Sequence, residues 1–195
     1  MRLYQRIIVI LVTLAHANTV QTRAASTNGE AQQAAIAFSE VVAVKDASAT
    51  ELYTRAKVWF TTAFVDSKAV LEVQDKEAGL LVGKGSFTYE PNIFMSSSLI
   101  RGHVTFSVSV SFKDGRYKYS FSDFTHHGST LRSQGPIDFG LITTSETCPP
   151  VSGTSKGMRE KVWKNLKVVS TAKANALTAS LKRKLAQPID GKDSW

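Results

Sequence analysis

Between His103 and Lys113 apolar and polar residues alternate without a break. Val104, Phe106, Val108, Val110 and Phe112 fall on one side, and Thr105, Ser107, Ser109 and Ser111 on the other. Only an extended chain sends every second side chain to the same face, so this stretch is a half-buried strand. Asp114-Gly115 follows and reads as a two-residue hairpin turn with positive φ at both positions. Folding back about it sets Phe112 opposite Tyr117, Val110 opposite Tyr119 and Val108 opposite Phe121. The apolar faces coincide at each pair, and Ser120 and Ser122 meet Ser109 and Ser107 on the other face, so turn and pattern specify one register. A sheet with one apolar and one hydroxyl-rich face calls for helices on the first and water on the second.

Both helices are legible. Ser48-Ala-Thr-Glu51 is a capping box, after which Leu52, Ala56, Trp59, Phe60 and Ala63 recur at helical spacing. From Gly157 to Leu185 the period is again helical. Met158, Val162, Leu166 and Val169 share an arc that Lys173 interrupts, so the first half is expected to dock on the core and the second to be less deeply buried. Ile36–Lys45, Val70–Asp75 and Leu80–Glu90 read as further strands, the first interrupted on its apolar side by Glu40. Residues 126–157, rich in Ser, Thr, Gly and Pro, look like an irregular insertion, long for a compact domain.

The N-terminus carries Arg2 and Arg6, the apolar run Ile7–Ala15, and Ala15-His16-Ala17. This is the layout of a secretory signal peptide cut before Asn18, and the run is too short to span a bilayer. The expected organisation is a signal peptide at 1–17, a flexible leader at 18–35, an α+β domain at 36–186 and a tail at 187–195. The expected location is exported, periplasmic or secreted. A chain of 195 residues that is 43% hydrophobic suits one such domain, and its one cysteine, Cys148, excludes an internal disulfide. Of the net charge of +8, the excess lies in the last fifth of the chain. Such a basic helix suits an anionic surface, or is the solvated face of a packed helix.

The order strand, helix, four strands, helix comes with three matching stretches: Glu51-Leu52-Tyr53-x-Arg55-Ala56-Lys57-x-Trp59-Phe60, Asp75-Lys76-Glu77-Ala78-Gly79-x-x-x-Gly83-Lys84-Gly85, and Lys113-Asp114-Gly115-Arg116-Tyr117. In these the chain, from about 36 to 185, resembles a bacterial domain of unknown function with a TBP-like fold. The resemblance implies α+β architecture, an antiparallel sheet of about five strands with both helices on one face. It also implies export and a place among cell-envelope proteins, and it carries over no catalytic residue.

The residues point to no reaction. Gly79-x-x-x-Gly83-Lys84-Gly85 lacks the spacing, the hydroxyl and the helix of a phosphate-binding loop, and reads as close strand packing. His126-His127 are adjacent on a strand, so they point to opposite faces and do not share a metal. Cys148 has no base in view. No catalytic residue, metal site or cofactor is therefore expected, and ligand-binding residues are left unassigned. The expected role is a non-catalytic binding or structural module of the envelope, with an envelope protein, peptide or glycan as partner. The alternative is binding to an anionic lipid or polysaccharide surface through the basic C-terminal helix. Nucleic acid is not expected, because the exposed face carries Ser and Thr rather than aromatic wedges.

Overall fold

A computed structural model describes residues 34–64, 70–93, 97–129 and 135–188. The expected signal segment, all but the last two residues of the leader and the tail from 189 lie outside the described residues. The elements are β1 (Phe38–Ala43), α1 (Ala49–Ala63), β2 (Val70–Asp75), β3 (Leu80–Tyr89), a 3-10 turn (Ser97–Ile100), β4 (Gly102–Lys113), β5 (Arg116–Gly128), β6 (Gly140–Leu141) and α2 (Lys156–Ala186). The strands form one antiparallel sheet in the order β1-β5-β4-β3-β2, with β6 also paired to β5. This is the α+β architecture that the alternation and the two amphipathic segments imply.

The β4–β5 register is the expected one, with Phe112 opposite Tyr117, Val110 opposite Tyr119 and Val108 opposite Phe121. The turn differs. Gly115 has φ +73, but Asp114 keeps negative φ. Tertiary bonds shape this tip: Gly115 donates its N–H to Ala47 O and accepts from Val44 N–H, both at 2.8 Å.

Further along, Asp123 takes φ +57 and the register slips by one, so that Ser107 pairs with Ser122 but Thr105 with Thr125. An extra residue on one strand flips the facing of all that follows. Phe124 and His126 therefore turn into the core, and His127 lies opposite His103.

The inward face of β4 and β5 (Val104, Phe106, Val108, Val110, Phe112, Tyr117, Tyr119, Phe121) is buried beneath the two helices, with Trp59 and Trp163 among the largest enclosed side chains. In α1 the Ser48 hydroxyl accepts the N–H of Glu51 as expected of the capping box, but the Glu51 carboxylate pairs with Arg55 rather than closing the box. Glu40, the interruption in β1, is met on the helix side by Lys182 Nζ at 2.7 Å and the Tyr119 hydroxyl at 3.0 Å.

Two further expectations are corrected. The second half of α2 is as buried as the first: Ala174, Leu177, Leu181 and Leu185 continue the stripe begun by Val162, Leu166 and Ser170. Spacings of three and four carry that stripe the length of the helix. α1 covers its second half, with Trp59 Nε1 donating to Ser180 Oγ at 2.9 Å and Arg55 donating to the Leu185 carbonyl.

Nor is 126–157 wholly irregular. β5 runs to Gly128, β6 pairs with it, and Ile137, Phe139 and Ile142 are buried. Ile36 N–H donates to Ile142 O and Thr144 N–H to Ala34 O, so the chain is already paired at the end of the expected leader. Three apolar residues among turn formers are too few to display a period.

Candidate functional site

The sheet has one closed face and one open face. On the open side β4 presents Thr105, Ser107, Ser109 and Ser111, all half-buried, and β5 adds Ser120, Ser122 and Thr125. Among the described residues neither helix covers them. Alternation puts the hydroxyls there by the same geometry that puts Phe106 and Phe121 beneath the helices. Cations lie along this face. Lys84 pairs with Glu72 at 3.1 Å, whereas Lys113, Arg116 and Lys118 are in no ion pair among the described residues.

Those three cations meet at the hairpin end. Lys113 is opposite Arg116, and Lys118 lies between Ser111 on β4 and Val41 on β1. Together they line a depression of about 480 Å³ that no acidic side chain enters. Asp114, the nearest acid in sequence, is turned away, its carboxylate accepting the Ala49 N–H at 2.8 Å. Nothing in periodicity alone signals this cluster. The hairpin register does, because it places 111, 113, 116 and 118 on one face.

At the opposite end of the face the imidazoles of His103 and His127 stack, with centroids 5.0 Å apart and planes 21° apart. His127 Nε2 is 3.3 Å from Thr105 Oγ1. Burial and the neighbouring His127 lower the His103 pKa, against the pull of Asp138. His126 points the other way, fully enclosed, its Nδ1 accepting the Phe139 N–H at 3.3 Å. Burial pushes its pKa down to about 4; the Ile100 carbonyl opposes this, although no partner reaches Nε2 in full hydrogen-bond geometry. The two adjacent histidines thus face apart, as strand geometry requires. Among the described residues no three His, Cys, Asp or Glu side chains gather as a metal cluster would need.

Cys148 is half-buried and unpaired, and burial pushes its thiol pKa up, the reverse of what a nucleophile needs. The glycine-rich stretch is a packing device. A Cβ on Gly85 would stand 2.5 Å from the Phe106 ring, and Gly79 O accepts the Phe112 N–H. Several α2 cations are engaged within the chain: Lys182 with Glu40, Lys156 with Glu160, Arg159 with Thr154 O, and Lys167 with Ser145 O. Lys173, which breaks the apolar arc, extends over the Phe87 ring at 5.9 Å. It borders a depression of about 640 Å³ between the end of β3 and α2.

Residues 38–127, from β1 to the end of the central hairpin, match the family model described as a domain of unknown function (DUF4468) with TBP-like fold. That segment is similar to this family. Among solved structures the chain is similar to a TBP-like protein from Parabacteroides distasonis, at 11% identity and a TM-score of 0.53, covering 76% of this chain and 93% of that one. It is similar likewise to a DUF4468 family protein from Bacteroides ovatus, at 16% identity and a TM-score of 0.53, covering 80% and 90%. At such identities the likeness is one of fold. No curated protein matches the chain. The family has no assigned function, and the DUF4468 segment includes the open face and its cationic end but not α2.

Proposed function

We propose that the chain is an exported, non-catalytic binding module of the cell envelope, and that the open face of the sheet is its recognition surface. The carrying observation is the asymmetry of the sheet: aromatic and aliphatic residues are closed under two helices on one side, while hydroxyls stand on the other with three cations in no ion pair among the described residues. A surface of fixed Ser and Thr hydroxyls offers directional donors and acceptors to a peptide or glycan at low conformational cost, because strand side chains are already ordered. Support for a non-catalytic role comes from the groups most suited to chemistry. His126 is shut in the core with its pKa pushed down to about 4, and burial raises the pKa of the Cys148 thiol.

The experiment is site-specific photocrosslinking in cells. A crosslinker placed at Ser109 is expected to capture a discrete envelope component, whereas one at Lys161 on α2 is not. Capture from Lys161 alone would transfer the role to the basic helix and its anionic surface. Fractionation of the same cells, with N-terminal sequencing, is expected to give an exported chain beginning at Asn18. An intact Met1 would overturn export.

A further inference from the structure

We propose that the depression at the hairpin end of the open face binds a tetrahedral oxyanion, the phosphate or sulfate group of a hydroxyl-rich ligand. This rests on reading the open face as the recognition surface. Lys113 and Arg116 are direct cross-strand partners, and Lys118 follows Arg116 on the same face of β5. Like charges directly opposite one another destabilise a sheet. The ordinary remedy, an acid at a neighbouring position, is used elsewhere on this face, where Glu72 meets Lys84. Here the acid in the turn is withdrawn, since the Asp114 carboxylate caps α1 through Ala49 N–H. The hairpin end therefore holds three cations with no counter-charge among the lining residues.

Their chemistry fits a dianion better than a single carboxylate. The Arg116 guanidinium presents a planar fork that pairs with two oxygens of one group. Two ammonium groups supply further charge, and the Ser111 hydroxyl adds a neutral hydrogen-bonding partner. Val41, 59% exposed, forms an apolar wall on the β1 side. Away from the turn the site continues into Ser109 and Ser120, which pair across β4 and β5. Beyond the charged group the ligand meets hydroxyls, as a phosphorylated or sulfated sugar would require.

The test uses the full chain in amide-resolved NMR titrations with inorganic phosphate, inorganic sulfate and a hexose phosphate, with sodium chloride as the ionic-strength control. The expected result is saturable shifts confined to Val41 and residues 109–120, with the hexose phosphate extending them to Ser107 and Ser122. The variant Lys113→Ala/Arg116→Ala/Lys118→Ala is expected to bind about tenfold more weakly or worse, the combined worth of three exposed ion pairs. Its Tm should be unchanged or higher, because repulsion is removed. Lys161→Ala/Lys164→Ala/Arg183→Ala on α2, which removes the same charge, should bind as the parent does. Equal losses in the two variants, or equal shifts with chloride, would reduce the effect to net charge and overturn the proposal. If neutral oligosaccharide shifts Ser107 and Ser109 while phosphate shifts nothing, the oxyanion site falls and the open-face reading stands.

Discussion

The Asp114 carboxylate at the tip of the central hairpin accepts the N–H of Ala49, the first residue of α1, at 2.8 Å. A turn residue of the sheet thus satisfies one of the free backbone donors at a helix start 65 positions earlier, beside the local cap from Ser48. Asp114→Ala is expected to cost about 1 kcal/mol and to lower Tm by about 2–4 °C for a domain of this size. Asp114→Asn keeps an acceptor oxygen and is expected to retain most of that stability. Thermal denaturation of the three proteins decides it, and equal losses for Ala and Asn would assign the effect to charge rather than to capping.

His126 makes stability depend on acidity. Its pKa is about 4 in the fold and about 6.5 in an unfolded chain, so the unfolded state takes up the proton first. The contribution is complete above about pH 6.5 and is lost progressively as pH falls towards 4. It amounts to about 3 kcal/mol, from roughly 1.4 kcal/mol per pH unit. Urea unfolding at pH 7.5 and 4.5 measures the loss. His126→Leu is expected to be less stable at pH 7.5, since Phe139 N–H loses its acceptor, but to show a shallower acid limb. A limb as steep as the parent's would clear His126 of the role.

Gly85 and Gly157 predict opposite responses to the same change. A Cβ on Gly85 meets Phe106 Cζ at 2.5 Å, and that ring is buried and stacked on Phe124 at 5.3 Å. Gly85→Ala is expected to cost about 1–3 kcal/mol through forced repacking. Gly157 is in the first turn of α2 with open space around its Cβ position, and Gly157→Ala is expected to gain up to about 1 kcal/mol. Chemical denaturation of both variants reads the contrast.

A hydrogen bond from Trp59 Nε1 to Ser180 Oγ is, among the described residues, one of two side-chain bonds from α1 to α2, beside that of Arg55 to the Leu185 carbonyl. Ser180→Ala leaves a buried indole N–H without its partner and is expected to cost about 1–3 kcal/mol. A double-mutant cycle with Trp59→Phe is expected to give about 1 kcal/mol of coupling. Additivity within experimental error would mean that this hydrogen bond contributes nothing beyond the packing and the other polar contacts of the second half of α2.

The hairpin, its register up to Ser122, the two helices and the sidedness of the sheet were legible because each rests on a period or a local motif. The slip at Asp123 was not, and it decides which histidine is buried. Without it His126 would face His103 on the open side; with it His127 does, and His126 enters the core. The cationic end lay within reach of the expected register, yet its lack of a counter-charge did not. That depends on Asp114 being committed to Ala49, a contact no periodicity reports.

Alternating and helical patterns determined by themselves that this chain makes an antiparallel sheet with one wettable face and two amphipathic helices. They could do so because side-chain direction repeats every two or 3.6 residues whatever the rest of the chain does. Tertiary structure alone decided that the second half of α2 is buried against α1, that residues 135–145 extend the sheet and its core, and that three cations at one end of the open face stand without an acid among the described residues. Each of these outcomes depends on groups distant in sequence meeting in space, where geometry and desolvation, not local pattern, select the partner.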